Sequence, residues 1–275
     1  MIRLARFFRL PAEIMMIALF YVPLAIIFGY SFLTRGAYGG AAGPLTVEAY
    51  ARAFDPLYVQ IVIRSIWIAA ASTAICLLAA FPLAFYIARF ATAKTLLINL
   101  VTLPFWTSFL IRTYAWMFLL RDTGLINVVL QKMGLISRPL PLLFNEGAVI
   151  LGLVYGYLPF MVLPIYATLE RLDPALLDAA EDLGATPLVA AWRVAVPLAK
   201  PGIVAGSILV FIPCLGAYLT PDLMGGGKTV MLGNLVQNQF TASRDWPFGA
   251  AISLVFMAGV FVVMRMLRSY GEDLL

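Results

Sequence analysis

The sequence predicts an all-α, polytopic membrane protein with six transmembrane helices. Its residues are 63% hydrophobic and only 12% charged, whereas soluble domains carry about 25% charged residues. Such a chain cannot cover its apolar surface in water, so a lipid bilayer is the expected solvent. Its apolar runs reach the ~20 residues that a helix needs to cross the hydrocarbon core. Because lipid offers the backbone no hydrogen bonds, each run is expected to be helical.

The apolar runs are spread along the whole chain. The polar segments between them are too short for a separate domain, so the sequence predicts one transmembrane domain, residues 1–275. The first run follows a basic start, as in a secretory signal. Its apolar core exceeds the roughly 7–15 residues of such signals, so we expect it to be retained. The predicted spans are residues 12–33, 61–88, 96–120, 146–169, 202–222 and 247–267.

Basic residues near the ends of the runs predict which side of the membrane each loop faces. Cytoplasmic flanks are enriched in lysine and arginine. Both termini and residues 170–201, the helical loop, are therefore predicted to be cytoplasmic, and residues 34–60, 121–145 and 223–246 external. Residues 3–10 are expected to form a basic amphipathic helix at the interface. The basic residues concerned are Arg3, Arg6, Arg9, Arg89, Lys94, Arg265 and Arg268.

The numbers and positions of histidine, cysteine and charged residues reduce the range of possible functions. The sequence has no histidine, which removes histidine-based triads and the usual zinc sites, so no catalytic or metal-binding residue is predicted. Cys76 and Cys214 fall in apolar runs and are interpreted as core residues, not as a disulfide. The net charge of +5 is spread thinly beside the runs, so no nucleic-acid partner is expected.

The helical loop has the pattern of two short helices joined by a turn. Asp173 is placed to cap the first helix, with a proline at its first position. Gly184 follows the last residue of that helix, where a left-handed backbone is common. Thr186, again followed by proline, repeats the cap for a second helix, which Pro197 helps to end.

The first of these two helices is amphipathic. A short helix of this kind suits insertion into a groove on a partner. It suits equally a surface hairpin that only joins two spans, and the residues alone leave both readings open. The apolar face consists of Leu176, Ala180 and Leu183, and the acidic edge of Asp178, Glu181 and Asp182.

The helical loop resembles the EAA loop of ABC importer permeases. The family pattern is Glu-Ala-Ala, three residues, Gly, nine residues and Ile-x-Leu-Pro. The spacing is kept throughout, and Asp for Glu and Val for Ile and Leu are mild departures. This sequence has Asp178-Ala179-Ala180, then Gly184, then Val194-x-Val196-Pro197.

The resemblance implies a type I ABC importer permease-like fold and a mechanical function. In that family the EAA loop docks in a cleft of the ATP-hydrolysing subunit, and its movement rocks the spans between inward- and outward-facing states. The chain would be a transport subunit and not an enzyme. It would carry no cofactor, and ATP and Mg²⁺ would bind its partners. The residues implied to couple to the ATPase are Asp178, Ala179, Ala180, Gly184 and Pro197.

The resemblance also implies a set of partners in the bacterial inner (plasma) membrane. They are a second homologous permease, two ATP-binding subunits and a periplasmic or extracellular solute-binding protein, with membrane lipid around the spans. The sequence leaves open whether the two permeases are copies of one chain.

Three further segments resemble the spermidine/putrescine permease branch, and within it the first of two permease subunits. Permeases for other small solutes share related versions of these segments. A polyamine is therefore the first expectation and another small solute the alternative. The segments are residues 104–114, 222–226 and 244–251.

A polyamine is a flexible polycation, which carboxylates and aromatic faces bind through charge and cation–π attraction. An acid within a span is a functional candidate by default. The alternative is that Asp222 caps a helix or pairs with Arg112, and that the aromatic residues form an interfacial belt. The candidate pathway residues are Asp222, Tyr218, Trp106, Tyr114 and Trp116.

Glycines and prolines predict two features of the fifth span. Gly202 and Gly206 have the spacing of closely packed membrane helices. Pro213, Gly216 and Pro221 are expected to break the helix, either as a hinge or gate or as a kink without function.

Three rival functions have weaker support in the sequence. Residues 225–229 fall short of a phosphate-binding loop, because that motif needs a glycine where Asp222 stands. A secondary transporter or channel would need inverted repeats or intramembrane charge relays, and the sequence shows neither. A membrane enzyme acting on lipid would need clustered catalytic residues.

Overall fold

The computed structural model describes Pro11 and residues 13–272, with all their side chains except those of residues 263 and 266–272. The amphipathic helix predicted for residues 3–10 lies outside the described residues. Over the described residues the chain is helical apart from turns and one small antiparallel hairpin. The described backbone forms two compact units: one contains Pro11, residues 13–60 and Leu235–Leu267, and the other contains Ile61–Asn234 and residues 268–272. The single transmembrane domain stays a prediction.

The helices follow one another with short connections. A 3-10 turn, Leu103–Trp106, continues α4, and the hairpin strands are β1 (Thr34–Arg35) and β2 (Ala41–Ala42). The helices are α1 (Glu13–Tyr30), α2 (Glu48–Ala53), α3 (Pro56–Arg89), α4 (Lys94–Thr102), α5 (Phe109–Leu120), α6 (Leu125–Lys132), α7 (Glu146–Glu170), α8 (Ala175–Asp182), α9 (Pro187–Leu198), α10 (Lys200–Gly216), α11 (Leu219–Gly225), α12 (Leu232–Phe240) and α13 (Trp246–Glu272).

Each predicted span overlaps a described helix or a pair of helices. By length and composition, α1, α3 and α7 are long and apolar enough to cross a membrane. Two bent helix pairs raise the number to five if each pair is one span, and the second pair joins α10 to α9 of the helical loop. The sixth predicted span coincides with α13, whose described apolar part is Trp246–Val262. The exact number and bounds of the spans stay predictions.

The third predicted span, 96–120, is not one straight helix. The helical stretches on either side of Thr107 and Ser108 meet at 91°. Pro104 has no N–H group to continue the helical hydrogen bonds, and the backbone at Ser108 is extended, with ψ 134°, where α5 begins. The hydrophobicity is continuous across the bend, so the apolar run gave no sign of it.

The fifth predicted span, 202–222, breaks as its glycines and prolines predict. α10 ends at Gly216, Ala217 is extended with ψ 131°, and α11 begins at Leu219. Pro213 lies inside α10 without ending it. The short helix α11 packs against α5 and α7.

α10 packs closely on α7, which confirms the predicted role of the two spaced glycines. A Cβ atom at Gly202 would lie 2.6 Å from the carbonyl oxygen of Pro164, and one at Gly206 would lie 2.8 Å from the sulfur of Met161. Only glycine allows the two helices to approach to this distance.

In the first unit, an ion pair between an exposed arginine and a buried aspartate joins α2 to the start of α13. Nη1 of Arg52 lies 3.0 Å from Oδ2 of Asp245, which is only 3% exposed. The Arg52 guanidinium also lies 4.2 Å from the ring centre of Phe248. Burial disfavours the charge, but hydrogen bonds to Asp245 and Tyr58 outweigh it, so the pKa of Arg52 is raised.

Candidate functional site

The helical loop folds as the two short helices that its sequence predicts. Oδ1 of Asp173 accepts a hydrogen bond from the backbone N–H of Ala175 at 3.0 Å, at the start of α8. Oγ1 of Thr186 accepts one from the N–H of Val189 at 3.4 Å, at the start of α9. Both predicted caps are confirmed. Pro197 lies in the last turn of α9, which meets α10 at 70°.

Gly184 closes α8 with a left-handed turn. Its φ is +88°, and its N–H donates to the carbonyl oxygen of Glu181 at 2.8 Å. The N–H of Ala185 donates to the carbonyl oxygen of Ala180 at 3.0 Å. This pair of bonds is the Schellman motif, which favours glycine at this position. No atom lies within 4 Å of a Cβ added to Gly184. Glycine is therefore favoured here by the left-handed backbone and not by a lack of space for a side chain.

The helical loop leaves apolar side chains exposed. No residue of α8 is buried, and Leu183, Leu188 and Trp192 are 89%, 70% and 64% exposed. A group of large exposed apolar residues indicates an interaction surface. Leu188 and Trp192 were not singled out from the sequence, although their four-residue spacing on the second helix was visible. Of the predicted coupling residues, Ala180 is half-buried and the others are exposed: Asp178, Ala179, Gly184 and Pro197.

The predicted pathway residues differ in exposure. Trp116 is half-buried, and its ring packs edge-to-face on Tyr155 with the centres 5.5 Å apart, so its described contacts are those of a packing residue. The role of the remaining residues in a pathway stays a prediction. The other four are exposed: Trp106, Tyr114, Tyr218 and Asp222.

Asp222 lies in the first turn of α11. The turn is held by Asn234, whose Nδ2 donates to the carbonyl oxygen of Tyr218 at 2.7 Å. Within the described residues, no ion pair joins Asp222 to Arg112, and no side chain caps the start of α11. The structure therefore contains neither of the two structural contacts that the sequence offered for Asp222.

Arg112 lies across the bend between α4 and α5. Its guanidinium carbon is 5.9 Å from the ring centre of Phe105, before the bend, and 5.5 Å from that of Phe109, after it. Its Nε and Nη1 are buried and have no hydrogen-bond partner among the described residues. The two rings partly offset this cost by cation–π attraction. The ring of Phe105 also packs on that of Phe160, with the ring centres 4.8 Å apart. Aromatic rings therefore pack against both sides of the bend.

The glycine-rich segment after α11 is a turn and lacks the surroundings of a phosphate-binding loop. Gly226 and Gly227 have φ of +56° and +74°. The only strands among the described residues belong to the β1–β2 hairpin, whereas a phosphate-binding loop follows a strand.

No metal-ligand cluster of three or more His, Cys, Asp or Glu is found in the part of the chain that the structure describes. Cys76 and Cys214 are buried and form no disulfide, which confirms their interpretation as core residues. That the chain itself carries no cofactor stays a prediction.

Comparison with known proteins gives matches over almost the whole chain. The family model described as "Binding-protein-dependent transport system inner membrane component" matches residues 2–271. The spermidine/putrescine transport system permease protein PotB of Haemophilus influenzae is 43% identical over 247 residues, 90% of this chain and 85% of that protein. PotB of Escherichia coli is 41% identical over 247 residues, 89% of this chain and 90% of that protein.

The fold also has a solved counterpart. A chain from the crystal structure of a bacterial alginate ABC transporter, in complex with an alginate pentasaccharide-bound periplasmic protein, aligns with a TM-score of 0.80. The alignment covers 98% of this chain and 94% of that chain at 15% identity. At this identity the likeness concerns the fold alone, and it confirms the predicted importer-permease fold.

Proposed function

Because this chain belongs to the family of binding-protein-dependent transport system inner membrane components, we propose that it transports the polyamines spermidine and putrescine. It does so as a transmembrane permease subunit of an ATP-driven importer. The observation that carries the proposal is the 43% identity, over 90% of the chain, with a spermidine/putrescine permease.

The exposed side chains of the second unit suit a polycation. Asp222 offers an unpaired carboxylate at the start of α11, and Tyr218 stands one turn before it. Trp106, 88% exposed, offers an aromatic face at the bend after α4. Carboxylates attract ammonium groups by charge, and aromatic faces attract them through the ring quadrupole. Both groups tolerate a flexible ligand, because neither demands a fixed geometry of the amine.

The helical loop supplies the coupling to ATP. Its two caps and its Schellman turn make the helical loop a stiff element that presents exposed apolar residues, among them Leu183 and Trp192. A helix of this kind fits a hydrophobic groove on an ATP-binding subunit. Closure of the ATP-binding subunits then moves the docked helix, and the shift favours one orientation of the spans over the other.

The importer is a larger assembly. We infer that this chain pairs with a second homologous permease, that two ATP-binding subunits dock on the helical loops of the pair, and that an external solute-binding protein delivers the polyamine. ATP and Mg²⁺ bind those subunits and not this chain. Both termini and the helical loop lie in the cytoplasm, as the positions of the basic flanks indicate.

The proposal is tested by uptake of labelled spermidine and putrescine in cells that lack this gene and any other polyamine carrier. We expect uptake to be lost on deletion and restored by the wild-type gene. Unchanged polyamine uptake on deletion would contradict the substrate and direct the search to other small solutes.

A further inference from the structure

Two basic side chains, Arg89 and Lys94, stand at the ends of the short connection between α3 and α4. Both form hydrogen bonds with residues at the C-terminal end of α7 or directly after it. Nη2 of Arg89, the last residue of α3, donates to the carbonyl oxygen of Leu172 at 2.7 Å. Nζ of Lys94, the first residue of α4, donates to both carboxylate oxygens of Glu170, at 3.1 and 3.2 Å. We call these two contacts, Arg89 with Leu172 and Lys94 with Glu170, the brace.

The brace holds the helical loop at the point where it begins. Asp173, which caps α8, directly follows Leu172. A displacement of α8 therefore acts directly on residues 170–172, as it acts on α9 at the other end of α8. Through the brace, that displacement reaches α3 and α4 as well as α7.

α4 is short and packs mainly on one other helix. It has nine residues, none of them buried, and is roughly 13 Å long at 1.5 Å per residue. Its main neighbour is α7. An element with few buried contacts moves at low cost, while its internal hydrogen bonds keep it stiff. A displacement at Lys94 is thus transmitted to the 3-10 turn that ends at Trp106 and to the 91° bend after it.

The present arrangement of the bend leaves two nitrogens of Arg112 without hydrogen-bond acceptors among the described residues. Arg112 touches the rings on both sides of it, yet its Nε and Nη1 find no acceptor among the described residues. A buried N–H donor without an acceptor costs free energy. An arrangement of the bend that provides acceptors for these two nitrogens would remove that cost.

We propose that Lys94 and Glu170 are positioning residues of the transport cycle: their ion pair makes α4 a lever that carries the movement of the helical loop to the bend beside Trp106. The proposal rests on the coupling role of the helical loop proposed above. It connects the surface that meets the ATP-binding subunit with an exposed pathway residue through one continuous helix.

An ion pair that only stabilises the fold would have the same geometry, and the chain offers a matched pair to distinguish the two roles. Arg64 and Glu146 pair at the opposite end of α7, with Nε and Oε1 2.7 Å apart. Their side chains are 37% and 40% exposed, against 37% and 38% for Lys94 and Glu170. A purely stabilising role predicts equal effects at the two ends.

The test uses the reconstituted importer with spin labels at Leu100 and Ile111, one on each side of the bend. Both side chains are exposed, and the two native cysteines are buried. The distance between the labels is measured by pulsed electron resonance without ATP and with ATP trapped by vanadate. We expect it to change in the wild type, to stay fixed in Lys94→Glu, and to change again in the swapped variant Lys94→Glu/Glu170→Lys. Arg64→Glu should behave as the wild type.

Transport gives the second readout. We expect the polyamine taken up per ATP hydrolysed to fall about threefold in Lys94→Glu, as suits a partly exposed ion pair, and to recover in the swapped variant. The proposal that α4 acts as a lever would be overturned if the label distance changed equally in Lys94→Glu and the wild type. It would also be overturned if the swapped variant did not recover. Label movement without any polyamine uptake would instead overturn the substrate and support the lever.

Discussion

The backbone N–H of Ala185 donates to the carbonyl oxygen of Ala180 at 3.0 Å, across the left-handed Gly184. This bond ends α8 and fixes the direction in which the second helix of the loop leaves. A residue with a Cβ pays about 1–2 kcal/mol to adopt the same backbone, although the space around Gly184 is open. Substitution here therefore strains the turn without disturbing the packing of the spans.

Replacing Gly184 with arginine should abolish transport and leave membrane insertion intact. The arginine strains the turn and puts a charge on the surface that meets the ATP-binding subunit. The matched control is Gly134→Arg, because Gly134 also has a left-handed φ, +71°, and no atom within 4 Å of an added Cβ. Uptake and the amount of membrane-inserted protein are measured together. Normal uptake by Gly184→Arg would contradict the coupling role.

Replacing Gly202 with alanine should destabilise the protein by about 1–3 kcal/mol, the usual cost of overfilling a packed contact. The added methyl group would meet the backbone oxygen of Pro164 at 2.6 Å, so the two helices must separate. Gly216→Ala is the control, since nothing lies within 4 Å of its added Cβ. Thermal unfolding in detergent checks this, and equal midpoints for the two variants would refute the close contact.

Replacing Asp222 with asparagine should weaken polyamine uptake through a higher KM, by about fivefold for one partly screened charge contact. The loss should be larger for the triamine spermidine than for the diamine putrescine, because the triamine carries more charge. Asp122→Asn, at another exposed acid, is the control. Equal KM values in wild type and Asp222→Asn would remove Asp222 from the pathway.

Replacing Asp245 with alanine should destabilise the first unit by about 2 kcal/mol, the usual contribution of a hydrogen bond to a charged group, because the half-exposed Arg52 loses its partner. The variant also loses the hydrogen bond from the N–H of Phe248 to Oδ1 of Asp245, 3.3 Å long. Glu48→Ala, at an exposed acid on α2, should have little effect. Limited proteolysis compares the variants, and equal cleavage rates would show that the ion pair contributes little.

Local signals in the sequence predicted the helical loop in detail. Asp173, Gly184 and Thr186 act within a few residues of their own positions, so their hydrogen bonds follow from the order of residues. Gly202 and Gly206 were equally readable, because their spacing alone places them on one face of a helix.

Contacts between distant residues were not predictable in this way. Lys94 and Glu170 are 76 positions apart, and Arg52 and Asp245 are 193 apart. Only the fold brings them together. The bend at Thr107 was not predicted for a different reason. The hydrophobicity of a segment predicts how long a span is, but not whether its helix is straight.

The most direct test of the proposed function is ATP-dependent accumulation of labelled spermidine in proteoliposomes. They contain this chain, its partner permease, the two ATP-binding subunits and the solute-binding protein. We expect accumulation only when ATP and the binding protein are both supplied, and none when Gly184→Arg replaces the wild-type chain. Accumulation without ATP or without the ATP-binding subunits would contradict the proposed function and identify a secondary transporter instead.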